Sequence, residues 1–87
     1  MKIKSGFVVR EIAGQSVVIA LGQAGQIFNG LIKLNETGRL IWDMLVTGAE
    51  REEIIDAMSE AYDVDRAILA QDCDAFLQTL QEKNILE

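Results

Sequence analysis

The sequence predicts a small α+β domain in which three antiparallel strands are followed by three helices, a βββααα order of the winged helix-turn-helix type. Its 87 residues suit one domain with one hydrophobic core, so residues 1–87 are taken as a single unit. Before Asn35, glycines recur and β-branched residues cluster between them, as in short strands joined by turns. After Asn35, apolar residues recur at the three-to-four-residue spacing of helices.

Glycine-containing turns divide the first part of the chain into three predicted strands, over residues 7–12, 16–20 and 26–33. Gly14 supplies the positive φ that a tight hairpin between the first two strands requires. A second turn is predicted from Gly22 to Gly25, and Gly30 weakens the centre of the third strand. Because both connections are short, we expect an antiparallel meander with the third strand at its edge.

The second part of the chain reads as three helices, over about residues 36–46, over about residues 50–62, and from Asp63 or Asp65 to about residue 83. Asn35 is predicted to cap the first helix, and Gly48 to end it. Asp63 or Asp65 is expected to cap the third helix, and Asn84 to stop it in the left-handed region. The third helix carries an apolar stripe of Leu69, Cys73, Phe76 and Leu80.

The reactive side chains needed for most enzymes are missing from this sequence. It has no histidine, so the commonest general base and metal ligand is absent. Its single cysteine, Cys73, excludes an internal disulfide and a cysteine-pair zinc site, and its place in the apolar stripe predicts a buried, inert thiol. We therefore expect a protein that is not an enzyme, with no catalytic residues, no metal and no cofactor.

Charge and hydropathy limit the classes of binding partner and the cellular compartment that we expect for this protein. The net charge of −6 opposes binding to nucleic acid and to anionic membranes, and the basic residues are scattered. No 18-residue apolar stretch is present, and the N-terminal residues lack the apolar run of a secretory signal. We therefore expect a cytoplasmic protein whose partner is neither nucleic acid nor a membrane.

Three further features have ordinary structural explanations. The acidic group formed by Glu50, Glu52 and Glu53 favours the start of the second helix through the helix dipole. The Gly22–Gly25 segment lacks the lysine and the following helix of a phosphate-binding loop. Asp72 lies at the edge of the apolar stripe, where an ion pair with Arg66 or Lys83 is expected if it has no other role.

The edge of the third strand is the most suggestive feature for function. Edge strands are usually protected by charge, proline or brevity, whereas this one has only Lys33 near its end and the chain has no proline. An unprotected edge either accepts a strand from another polypeptide or pairs with a second copy to give a homodimer. The residues alone leave both possibilities open.

The segment from Leu34 to Leu45, LNETGRLIWDML, resembles the central motif of the PqqD-like family, L-N-x-T-(G/A)-x-x-I-W-x-L. Weaker likenesses continue along the helices, at residues 52–54, 62–64, 72–80 and 84–86. In the third helix the matching pattern is D-x-x-x-F-L-x-x-L, from Asp72 through Phe76 to Leu80. Asn84 departs from the family pattern, since a glycine is usual at that position. The resemblance covers nearly the whole chain.

The resemblance implies a function as well as a fold. Members of this family, also called RiPP recognition elements, include the chaperone of PQQ biosynthesis. They are winged helix-turn-helix domains that bind the leader of a ribosomally made precursor peptide and present it to a modifying enzyme, often a radical SAM protein. The leader adds as a strand beside the third strand, against the third helix. Carried over by position, the peptide-binding residues are Ile27, Phe28, Asn29, Gly30, Leu31, Ile32, Lys33, Leu69, Asp72 and Phe76.

Two other functions remain as alternatives. A winged-helix DNA-binding regulator would use the third helix for recognition, but Asp65, Asp72, Asp74 and Glu82 on that helix would oppose phosphate contacts. A self-associating structural module would use the third-strand edge to pair with a second copy. The sequence does not identify the precursor peptide, the modifying enzyme or the product, PQQ included.

Overall fold

A computed structural model describes residues 1–22 and 32–87 of the chain. Its elements are β1 (Phe7–Ile12), β2 (Gln15–Ala20), β3 (Ile32–Leu34), α1 (Glu36–Thr47), α2 (Arg51–Ala61) and α3 (Arg66–Glu82). This confirms the predicted α+β fold of three antiparallel strands followed by three helices. The predicted turn up to Gly25 and the predicted third strand as far as Leu31 lie largely outside the described residues.

The sheet has the strand order β1-β2-β3, with both pairs antiparallel. Ile12 pairs with Gln15, so Ala13 and Gly14 form a two-residue hairpin loop. Both loop residues have positive φ, 52° and 79°, as the favoured hairpin turns require. The structure therefore confirms the hairpin and the role predicted for Gly14. Leu34 pairs with Ser16 of β2, and among the described residues the opposite edge of β3 has no strand beside it.

Three helix ends lie at residues that the sequence predicted, namely the starts of α1 and α3 and the end of α3. The Asn35 side-chain oxygen accepts a hydrogen bond from the Gly38 amide at 2.8 Å, which caps α1. Asp65 caps α3 more weakly, accepting from the Ala67 amide at 3.4 Å. Asn84 has a φ of 60° and follows α3 in the left-handed region, as expected.

One hydrophobic core joins the three helices to the sheet. Its most buried large side chains are Trp42, Ile41, Leu45, Ile54, Ile55, Met58, Leu80, Ile85 and Val18. Ile3, before the first strand, extends this core because its amide donates to the Leu45 carbonyl at 3.0 Å and it bridges to Leu86. No polar or charged residue is buried among the described ones, so their packing is almost wholly apolar.

Candidate functional site

A groove opens where the end of β3 and the start of α1 meet α3. One depression, of about 290 Å³, is lined by Asn35, Thr37, Gly38, Ile41, Asp72, Ala75, Phe76 and Thr79. A second, of about 330 Å³, is lined by Gln15, Lys33, Leu34, Asn35 and Phe76. Because the two share Asn35 and Phe76, they form one continuous surface, called here the β3–α3 groove. Each depression has room for a large side chain of a bound peptide.

Phe76 and Gly38 together shape the floor of the β3–α3 groove. The Phe76 ring is half-buried and packs against the core. A Cβ atom at Gly38 would lie 3.5 Å from Cε1 of this ring and 3.0 Å from Oδ1 of Asn35. Glycine at this position therefore lets the aromatic ring and the capping amide approach the α1 backbone closely. Sequence reasoning overlooked this use of Gly38, although the small residue in the LNETG motif marks the position.

The structure brings together three of the residues predicted to bind a peptide. Lys33, Asp72 and Phe76 all line the β3–α3 groove. Ile32 and Leu69 are 9% and 2% exposed and belong to the core, so their predicted contact with a peptide stays a prediction. The other five predicted residues, Ile27 to Leu31, lie outside the described residues.

The carboxylate of Asp72 is exposed at the wall of the groove. Of the two ion-pair partners expected for it, Arg66 instead contacts Glu52 at 3.1 Å and Asp56 at 2.8 Å. The expected pair between Asp72 and Arg66 is therefore wrong, because the start of α3 directs the guanidinium of Arg66 toward α2. Across residues 1–22 and 32–87, no hydrogen bond or ion pair engages the side chain of Asp72.

The other side of α3 is closed by packing and by ion pairs. Arg51 donates two hydrogen bonds to the Asp74 carboxylate, at 2.6 and 3.0 Å. These bonds lower the pKa of Asp74 below its usual value, because the neighbouring guanidinium favours the ionised form. Cys73 is fully buried as predicted, and burial raises the pKa of its thiol. A buried thiol with a raised pKa is a poor nucleophile.

A metal-binding cluster and a membrane-spanning helix are both absent from residues 1–22 and 32–87. In these parts of the chain, no group of three or more His, Cys, Asp or Glu side chains is arranged to hold a metal ion. The described helices are also too short or too polar for any of them to cross a membrane.

Comparison with known proteins identifies relatives of this chain. The model of the family described as coenzyme PQQ synthesis protein D (PqqD) matches residues 8–86. The structure of TbiB1 in complex with the TbiA(beta) leader peptide is similar, with a TM-score of 0.78 and 33% sequence identity. That alignment covers 100% of this chain and 95% of the TbiB1 chain, so the likeness extends over the groove and the core alike.

A second solved structure shares the fold at lower identity. It is a lasso peptide synthetase B1 complexed with its leader peptide, with a TM-score of 0.74 and 19% identity over 97% of this chain and 93% of the other. None of the curated proteins matches this sequence. Two chains whose structures were solved with leader peptides thus share the architecture described above.

Proposed function

This chain belongs to the PqqD family, and we propose that it binds the leader of a ribosomally made precursor peptide in the β3–α3 groove. One observation carries the proposal: the chain is 33% identical over its full length to TbiB1, whose structure contains a leader peptide. The edge of β3 beside Phe76, which has no strand against it among the described residues, supports the same conclusion from this chain's own residues.

The proposed binding mode is strand addition to β3. An extended leader would form backbone hydrogen bonds with the open edge, which gives affinity that depends little on sequence. Alternate leader side chains would point toward α3, where the groove around Phe76 selects among them. Ordering a flexible leader offsets part of this energy, so we expect a dissociation constant in the micromolar to sub-micromolar range.

The proposed role is to carry the peptide to an enzyme, with the chemistry done by that enzyme. We infer a modifying enzyme of the radical SAM type in the cytoplasm, on the strength of the family resemblance, and no catalytic role for this chain. A homodimer formed through β3 would occupy the edge that the leader needs. The two uses of β3 therefore exclude each other, and sedimentation with and without peptide separates them.

The test is a titration of the TbiA(beta) leader peptide into isotope-labelled protein, followed by NMR. We expect shifts centred on Lys33, Asp72 and Phe76. Phe76→Ala should weaken binding about tenfold or more, as loss of a central aromatic contact does. Val46→Ala is the matched control, since this side chain is 49% exposed and lies outside the groove.

Two results would contradict the proposal. Shifts confined to β1 and its neighbours would place the site at the wrong edge of the sheet. If Phe76→Ala and Val46→Ala weaken leader binding equally, the groove is not part of the interface. Because Phe76 also packs on the core, each variant is first checked for a native unfolding transition, and Phe76→Leu replaces Phe76→Ala if that transition is lost.

A further inference from the structure

The wall that α3 presents to the groove continues beyond the residues that line the two depressions. At 100° per residue, Ile68, Asp72, Ala75 and Thr79 fall within an arc of about 60° on α3. Phe76 lies on the core side of this arc, which agrees with its half-buried ring. Ile68 is 50% exposed, so its side chain is accessible to a ligand. The wall is therefore apolar at Ile68, acidic at Asp72 and apolar again at Phe76.

Asp72 differs in its surroundings from the acidic residues on the α2 side. Glu52, Asp56 and Asp74 all contact arginine side chains. Within the described part of the chain, no such partner is offered to Asp72, although it stands between two apolar side chains in a groove. A carboxylate in this position is complementary to a cationic side chain on whatever fills the groove.

Resting on the proposed function, we propose that Asp72 selects leaders with the pattern apolar-x-Lys/Arg-x-apolar, whose apolar side chains contact Ile68 and Phe76. The spacing follows from simple geometry. Ile68, Asp72 and Phe76 are each one step of four residues apart, about 6 Å along a helix. In an extended strand, side chains on one face recur every second residue, about 6.6 Å apart. A strand running along α3 would therefore place three alternate side chains over these three positions.

The pattern is symmetric, so it does not depend on the direction in which the leader runs. It also predicts which leaders are excluded, namely those with an acidic residue at the middle position. An acidic side chain at the middle position would face Asp72 with no cation between them. Like charges that face each other in this way disfavour binding. The chain's net charge of −6 adds to that discrimination over longer distances. Asp72 would thus set the register of the bound leader, while Phe76 supplies most of the contact area.

The test is a selection of displayed random peptides on the intact protein. The wild type should enrich Lys or Arg about 1.4- to 5-fold at one position flanked by apolar residues at two-residue spacing, as an exposed ion pair allows. Asp72→Asn should abolish that preference, and Asp72→Lys should replace it with Asp or Glu. Ile68→Ser should remove the preference at one of the two apolar positions only.

The matched control is Glu60→Gln, which removes the same charge from an exposed residue on α2 and should leave the selected pattern unchanged. Peptides that are enriched without a basic position, or with one that survives Asp72→Lys, would overturn this inference and leave the proposed function standing. If no peptide is enriched and the TbiA(beta) leader also fails to bind, the proposed function falls together with it.

Discussion

Asp72 and Asp74 stand two residues apart on α3, and the structure treats them in opposite ways. Asp74 faces α2 and receives two hydrogen bonds from Arg51. Asp72 faces the β3–α3 groove, and no partner in residues 1–22 or 32–87 engages it. Both carboxylates are exposed, so the difference lies in their neighbours and not in their access to solvent.

This contrast shows that the two faces of α3 differ in role. The face toward α2 has its apolar side chains buried and its charges paired, so it contributes to folding. Within the described residues, the face toward the groove has a half-buried aromatic ring, a carboxylate with no hydrogen-bond or ion-pair partner, and a strand edge with no strand beside it. These features match the leader-binding surface proposed above.

The largest expected effect is on stability, and it comes from substituting two neighbouring residues that lie on different faces of α3. Leu69→Ala removes a side chain that is 2% exposed and should lower the free energy of unfolding by about 2–5 kcal/mol. Ile68→Ala, at a position 50% exposed, should lower it by less than about 1 kcal/mol. Urea unfolding followed by the fluorescence of the buried Trp42, the single tryptophan, measures both.

The same two variants also test which of these residues contacts the peptide. If Leu69→Ala leaves stability intact while weakening binding of the TbiA(beta) leader, Leu69 is a contact residue and the division between faces fails. If Ile68→Ala is as destabilising as Leu69→Ala, the groove wall belongs to the core. The expected result is loss of stability from one variant and weaker binding from the other.

A smaller effect compares the caps of α1 and α3. Asn35→Ala should cost about 1 kcal/mol of stability, because the cap bond to the Gly38 amide is 2.8 Å long. Asp65→Ala should cost less, since its bond to the Ala67 amide is 3.4 Å long. Urea unfolding of both variants gives the comparison. Equal costs would mean that the groove end of α1 depends no more on its cap than the start of α3 does.

Local features of the fold could be predicted from the sequence with good accuracy. Gly14 in the hairpin, Asn35 at the start of α1 and Asn84 after α3 each act through their own backbone or their near neighbours. Such effects depend on residue type and short spacing alone. The apolar stripe of α3 was likewise visible from its period, and its members Leu69, Cys73 and Leu80 are buried.

The groove was harder to predict, because it depends on contacts between residues far apart in the chain. The approach of the Phe76 ring to Gly38 is set by how α3 packs against α1, which no local pattern encodes. The rotation of α3 about its axis likewise decides that Arg66 meets Glu52 and Asp56 rather than Asp72. The family resemblance implies that Leu69 contacts a peptide, and this stays a prediction, because periodicity alone cannot distinguish a core position from the wall beside it.

The smallest expected effect tests the comparison of Asp72 with Asp74 directly, by pH. Asp74 has its folded-state pKa lowered by Arg51, so its stabilising contribution is present above the unfolded-state value of 3.8 and is lost as pH falls through the folded-state value. Asp74→Asn should therefore lower the thermal unfolding midpoint slightly at neutral pH, and its gap from the wild type should close below about pH 4.

Asp72→Asn is the matched control, since it removes the same charge two residues away from a carboxylate without a described partner. Its effect on the unfolding midpoint at neutral pH should be smaller than that of Asp74→Asn. Added salt should shrink the Asp74→Asn gap, because an exposed ion pair is screened. If the two variants behave alike across pH and salt, the Arg51 pair stabilises nothing, and the contrast between the faces of α3 would then depend on packing alone.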